Sequence, residues 1–225
     1  MTAAEDTYSP PPDTGLELVY SDADLLVANK PAGLLSVPGR GADKQDCMIR
    51  RVQQIYPEAL TVHRLDMATS GLLLLARNAD LQRRLGNLFA TKQISKRYIA
   101  IVIGKPAVAS GEIDQPLITD WPNRPRQIID HQIGKPAQTL YHVLDYDAQS
   151  HTSRVELKPL TGRTHQLRVH MQFIGHPILG DRLYGGIRPN EYVERLFLHA
   201  AELDFIHPVT GQRLLLTQPA PFQPY

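Results

Sequence analysis

Cysteine is almost absent: Cys47 stands alone among 225 residues. No intrachain disulfide can form, a composition suited to a reducing compartment. Long hydrophobic runs are missing as well. No stretch approaches the roughly 20 apolar residues that a membrane-spanning helix needs. Residues 1–13 are polar and proline-rich, without the basic and apolar segments of a secretory leader, so a cytoplasmic location is expected. There is no internal repeat, no glycine-rich phosphate loop and no dinucleotide fingerprint. Ser70 lies in Thr-Ser-Gly, not in the Gly-x-Ser-x-Gly of a nucleophile elbow. His165 and His170 are five residues apart, where the helical zinc motif uses four. Neither a metal site nor a cofactor is read from the chain.

What is present is ordinary in bulk and uneven in detail. Hydrophobic content of 42 % and charged content of 21 % suit a soluble globular chain with room for a core. The net charge is only +1, weak for a protein that binds a polyanion. Yet residues 1–30 carry six acids against one lysine, and residues 77–105 carry seven Lys/Arg against Asp80 alone. A concentrated basic segment is expected of a phosphate-facing surface, although a solvated helix face has the same composition.

Patterning predicts strands at 16–20 and 25–29, a helix over 46–56 that ends at Pro57, and a buried strand at 72–76. An amphipathic helix follows over 80–90, then an Ile/Val-rich strand at 98–103. Residues 111–138 read as loop with short strands. Strands at 139–146 and 154–158, a helix over 164–174 and a closing hairpin at 196–205 and 214–217 complete the chain. Strands outnumber helices in mixed order, which predicts an α+β fold with a mainly antiparallel mixed sheet.

Two runs carry chemistry. His63-Arg64-Leu65-Asp66-Met67-Ala68-Thr69-Ser70-Gly71 leads straight into Leu72–Ala76 and sets a carboxylate on a short turn beside an apolar strand. Near a dry interior that charge needs a partner, and Arg64 and His63 are nearest in sequence. Taken alone, Arg-x-Asp fits a turn cap or a surface pair equally well. The second run, Lys158-Pro159-Leu160-Thr161-Gly162-Arg163-Thr164-His165-Gln166-Leu167-Arg168-Val169-His170, starts a helix at Thr164 after a Thr-Gly turn. A helix N-terminus favours an anion, with Arg163, His165 and Arg168 as added donors. A capped helix with a basic edge has the same pattern.

Both runs resemble signatures of the RluA family of pseudouridine synthases. His-Arg-Leu-Asp-x-x-Thr-Ser-Gly-Leu is similar to the catalytic loop of that family, and Leu-Thr-Gly-Arg-Thr-His-Gln-Leu-Arg-Val-His to its second signature. Ser95-Lys96-Arg97-Tyr98 matches a third position, and segments 29–39, 120–125, 134–139 and 175–181 extend the likeness over residues 16–217. The resemblance implies a pseudouridine synthase fold around a central RNA-binding cleft. It implies Asp66 as catalytic carboxylate, Arg168 as its pairing partner and Tyr98 packed on the target uracil. The implied activity is an intramolecular transfer that turns uridine into pseudouridine without a cofactor. Asp66 would either attack the anomeric carbon or remove a neighbouring sugar proton, and both routes stay open.

The implied partners are 23S rRNA and the tRNA anticodon stem-loop, with no membrane and no obligate protein partner. Arg64 is expected to fill the space left by a flipped uridine, and His63, Lys96, Arg97, Arg163, His165 and Gln166 to contact RNA. A poorly ordered arm over residues 1–15 and a single catalytic domain over 16–225 are expected, without the small S4 RNA-binding domain that several relatives carry. Two other classes compete. One is a non-catalytic RNA-binding or ribosome-assembly protein of the same fold. The other is a hydrolase using Asp66 with His63 or His165.

Overall fold

Successive strand residues point to opposite sheet faces, so an apolar run without alternation forms a strand covered on both sides. The computed structural model, which describes residues 8–186 and 193–222, shows this in β2 (Leu25–Lys30) and β4 (Ser70–Ala76). Leu26, Ala28, Leu73 and Leu75 pack with Met48, Ile49 and Val52 of α1 (Met48–Gln53). Leu25, Val27, Leu72 and Leu74 pack on the other face with Leu81 and Leu85 of α2 (Ala79–Ala90). α2 begins at Asn78, whose side chain accepts a hydrogen bond from the Leu81 amide at 2.9 Å, a standard N-terminal cap.

Among the described residues the main sheet has ten strands. Its continuous path runs β1 (Leu18–Ser21), β2, β4, β11 (Leu198–Ile206), β5 (Ser95–Ile103), β10 (Thr152–Pro159), β9 (Gln138–Asp147) and β6 (Ser110–Asp114). β12 (Arg213–Thr217) pairs with β11, and β3 (Leu60–Thr61) with β4. Among the described residues only β4 and β11 pair in parallel, through His199 with Ser70 and Ala200 with Gly71. The expected mainly antiparallel α+β architecture is therefore the observed one. A separate hairpin joins β7 (Leu117–Thr119) to β8 (Gln127–Ile129). α3 (Gln166–Phe173) buries Leu167 and Met171 in the core beneath β5 and β10.

Gly71 explains how β4 reaches β11. Its φ is +109°, and a Cβ there would lie 2.3 Å from the Ala200 carbonyl oxygen and 2.7 Å from its amide nitrogen. Only glycine permits that approach.

Several boundaries differ from expectation. α1 covers Met48–Gln53, inside the expected 46–56, and β5 begins at Ser95, three residues before the expected 98. α3 begins at Gln166, two residues late, because His165 takes a left-handed conformation at φ 53° just before it. The expected loose arm is also corrected over residues 8–15. The Tyr8 hydroxyl donates to the Asp46 carbonyl and accepts from the Leu35 amide, while Arg51 donates to the Pro11 carbonyl at 2.7 Å. The rest of that arm, residues 1–7, lies outside the described residues. No described helix is long and apolar enough to cross a membrane.

Candidate active site

The loop before β4 is clamped on both sides of Asp66. On one side the Ser36 hydroxyl accepts from the Leu65 amide at 3.0 Å and donates to the Leu65 carbonyl at 2.7 Å. On the other side the Met67 carbonyl accepts from the Gly33 amide at 2.8 Å and from Lys30 Nζ at 3.1 Å. Lys30 is fully buried and also donates to the Pro31 and Leu34 carbonyls. Burial pulls its ammonium down to about 7, opposed by the nearby Asp66 charge. Where the loop ends, Ser70 Oγ and His199 Nδ1 lie 2.8 Å apart, which fastens the start of β4 to β11. The segment 29–36 thus serves as a brace for the acidic loop, a role that its sequence did not disclose.

The clamped loop presents the Asp66 carboxylate to the start of α3. Asp66 Oδ2 lies 3.7 Å from an Arg168 guanidinium nitrogen and 3.9 Å from His165 Nε2. Arg168 is buried and held from behind by Asp181 in a bidentate pair, Nε–Oδ2 at 2.7 Å and Nη2–Oδ1 at 2.8 Å. Burial alone would lower the guanidinium pKa, but the hydrogen bonds and charge of Asp181 outweigh it and raise the value. Arg168 is therefore a fixed cation beside Asp66. Asp181 was missed as a site residue, because its partner Arg168 is brought to it by the fold and not by local spacing. The only available signal was the Gly180-Asp181 match in the family likeness.

Tyr184, also missed, ties these groups together. Its hydroxyl accepts from the Gln127 amide and lies 2.8 Å from His165 Nδ1, and its ring faces Arg168 at 5.1 Å. Burial pushes the phenol up to about 12. Burial also lowers the His165 pKa, with Asp66 acting in the opposite sense, so a neutral imidazole stands beside the carboxylate at neutral pH.

Asp66, His165 and Arg168 line a cleft of about 740 Å³ together with Tyr98, Thr69, Leu140, Leu160 and Leu198. Tyr98 projects from β5, its phenol kept neutral first by burial and then by the Asp66 charge. Among the described residues, six basic side chains line the same cleft, Arg64, Lys92, Lys96, Lys158, Arg163 and Arg168, against Asp66 as the one carboxylate. They come from three separate stretches of chain, around Arg64, over 92–96 and over 158–168, so the positive character belongs to the fold. The expectation of one basic surface over residues 77–105 is corrected accordingly. Arg77 pairs with Glu58, Arg83 and Arg84 pair with Asp80, and Lys105 sits over the Tyr146 ring.

Of the other expected RNA contacts, Arg64, Lys96, Arg163 and His165 reach the cleft, and Arg64 is exposed at it. Arg97 does not. It neighbours Lys96 and Tyr98 along β5 and so points to the other face, where Glu202 holds it at 2.8 Å and Glu156 at 3.8 Å. Gln166 touches the cleft but is buried, and its amide is used internally. Its oxygen accepts from Thr161 Oγ1 and the Arg163 amide, and its nitrogen donates to the Gln138 carbonyl. His63 Nε2 accepts from the Leu74 amide at 2.9 Å, and burial drives its pKa down to about 3. It is an uncharged wall against Phe89, with ring centroids 4.6 Å apart.

The described grouping nearest to a metal set is Asp22, Asp24 and His207, away from the cleft. His207 Nδ1 accepts from the Val209 and Thr210 amides, which leaves the proton on Nε2, 3.1 Å from Asp22 Oδ2.

Comparison with known proteins converges on one chemistry. Residues 24–173 match the family model described as RNA pseudouridylate synthase. The chain is 48 % identical to the dual-specificity RNA pseudouridine synthase RluA of Escherichia coli K12 over 217 residues, covering 96 % of this chain and 99 % of that protein. The same-named protein of Vibrio parahaemolyticus is 46 % identical, over 96 % of this chain and 88 % of its own length. Among solved structures, human RNA pseudouridylate synthase domain containing 1 superposes with a TM-score of 0.77 at 31 % identity, over 96 % of this chain and 88 % of the human one. Human RNA pseudouridylate synthase domain containing 4 gives 0.72 at 27 % identity, covering 91 % and 88 %.

Proposed function

The chain belongs to the RNA pseudouridylate synthase family, and on that premise we propose that Asp66 is its catalytic carboxylate, acting on uridines of both 23S rRNA and tRNA. The protein is an RNA pseudouridine synthase, an isomerase. The observation that carries the site assignment is the single carboxylate among the described residues of a basic cleft, held opposite a buried arginine. In the reaction the C1′–N1 glycosidic bond breaks, the uracil turns within the site, C1′ bonds to C5, and the C5 proton is lost while N1 takes one up, so that product and substrate are isomers. The ribose becomes electron-poor as the first bond breaks, and a fixed carboxylate suits that charge. Asp66 either adds to C1′ or removes a neighbouring sugar proton.

Tyr98 supplies an apolar, neutral face for the uracil. Stacking of an aromatic side chain on an unpaired base contributes about 1–3 kcal/mol. A stacked uridine cannot reach the bottom of such a cleft and has to be flipped out, at a cost of a few kcal/mol. Arg64, exposed at the same cleft, occupies the vacated place. Lys92, Lys96, Lys158 and Arg163 face the phosphates. His165 contributes a neutral donor or acceptor beside Asp66. The choice of 23S rRNA and tRNA is supported by near full-length similarity to proteins named for dual specificity. Similarity to bacterial RNA-modifying enzymes supports a cytoplasmic location.

The test is to incubate the pure protein with 23S rRNA and tRNA transcripts and map pseudouridine chemically at single-nucleotide resolution. New pseudouridine in both RNA classes is expected. Modification confined to one class would refute the dual assignment, and modification of neither would refute the activity.

A further inference from the structure

The hairpin of β7 and β8 carries a feature that the cleft does not use. At its tip, Trp121 is 65 % exposed, and the Arg124 guanidinium lies over its ring, 4.8 Å from the centroid. A single exposed aromatic is common on protein surfaces; this one is displayed on an ordered turn. The Asp120 amide donates to the Arg126 carbonyl, the Arg126 amide to the Asn123 carbonyl, and the Asn123 side chain to the Asp120 carboxylate. A turn fixed in this way has little conformational entropy left to lose when something binds it.

The hairpin is joined to the cleft in two places. At its base the Gln127 amide donates to the Tyr184 hydroxyl, which lies 2.8 Å from His165 Nδ1, and Arg126 sits over the same Tyr184 ring at 5.7 Å. Across the hairpin, Leu117 exchanges backbone hydrogen bonds with Lys135, and the next carbonyl, Pro136, accepts from Arg163 Nε at 3.1 Å. His165 and Arg163 both line the cleft. A strand of RNA leaving the cleft over Arg163 therefore meets a surface bearing Lys135, Arg126, Arg124 and an open indole.

We propose that this hairpin is a second RNA-contact site, where an unpaired base of the RNA outside the flipped uridine stacks on Trp121 while Arg124 and Arg126 face its phosphates. The inference rests on the RNA substrate reading above. The chemistry is that of single-strand binding surfaces, which combine aromatic platforms with basic groups along the backbone. A protein partner would find the indole equally accessible, but the cluster of arginines and the continuity with a basic cleft favour a polyanion.

Trp121 is the one tryptophan of the chain, so its emission reports this site alone. The full-length protein is titrated with two fluorescein-labelled RNAs, an anticodon stem-loop transcript and a blunt duplex of equal charge. Anisotropy follows binding, indole emission is read with unlabelled copies, and chemical mapping of pseudouridine in the stem-loop is run in parallel. Quenching by the stem-loop that saturates with binding, and weaker quenching by the duplex, are expected. Trp121→Ala should weaken stem-loop binding by about fivefold or more, as loss of one base-stacking contact does. Unchanged emission while the stem-loop binds and is isomerised would overturn the inference and leave the enzymatic reading intact. Equal quenching by both RNAs would overturn the stacking of an unpaired base. Absence of both binding and isomerisation would instead refute the reading on which the inference depends.

Discussion

Arg168 shows how one residue is made useful by another that never faces the substrate. Its guanidinium is locked by Asp181, itself 1 % exposed, and only its remaining face is turned to Asp66. Asp181→Asn keeps the shape and removes the charge, leaving a buried arginine without its close partner. Breaking such a pair typically costs 3–5 kcal/mol when the partner is removed outright. We expect a loss of about 2 kcal/mol or more in urea unfolding, and a kcat that falls further than RNA affinity does. Unchanged kcat in the folded variant would mean that Arg168 needs no such support. Lys96 and Arg97 make a second contrast at this scale. Lys96→Ala should flatten the dependence of RNA binding on log salt by about 0.7–0.9, the slope lost with one phosphate contact. Arg97→Ala should leave that slope alone, because Glu202 and Glu156 hold the side chain on the far face of β5. Parallel salt titrations of the two variants decide the matter, and a flattened slope for Arg97→Ala would return it to the RNA surface. The strand period of two already separated Lys96 from Arg97 in the sequence, once β5 was extended back to Ser95. The role of Asp181 was not legible, since it depends on a turn that folds back on α3.

At the scale of elements, the segments with strong local patterning were read correctly and the long-range pairing was not. The apolar run at 72–76, the stripe of α2 and the Ile/Val content of β5 each declare themselves locally. The parallel contact of β4 with β11 joins residues about 130 positions apart, and no local pattern encodes it. The start of α3 was misplaced because a left-handed His165 is allowed by context and not by propensity. The brace of the Asp66 loop was also invisible. Ser36 and Lys30 act on backbone groups, whose partners leave no mark in side-chain pattern. Ser36→Ala therefore makes a sharp probe. It leaves the Leu65 amide and carbonyl without their hydroxyl partner, which costs about 1–3 kcal/mol in a buried setting. It should also lower kcat with little change in RNA affinity, because the loop that carries Asp66 is freed at one end. Stability loss with full kcat would show that the clamp at Met67 is sufficient alone.

For the whole molecule, the near-zero net charge conceals a cleft lined, among the described residues, by six basic groups and one acid. The other described acids lie elsewhere, Asp13, Glu17, Asp22 and Asp24 among them. Burial of uncharged histidines sets a second global property. His63 is held down to about 3 and His199 to about 4, mainly by burial, against an ordinary value of 6.5. The unfolded chain binds these protons first as pH falls, so stability drops with acid from about 6.5 down to about 4, at roughly 1.4 kcal/mol per pH unit for each histidine fully in that window. Urea midpoints at pH 7 and pH 5 should differ by an amount on the order of 2–4 kcal/mol in unfolding free energy. Equal stability at the two values would show that neither ring is buried uncharged.

We propose that Asp66 performs the isomerisation while the rest of the cleft binds the RNA. Asp66→Asn changes the charge and almost nothing in shape, so one measurement tests the claim: single-turnover pseudouridine formation in an anticodon stem-loop, with enzyme above the dissociation constant measured for each protein. No detectable pseudouridine is expected from Asp66→Asn, with RNA affinity within several-fold of the unmodified protein. Turnover by Asp66→Asn at a substantial fraction of the normal rate would contradict it.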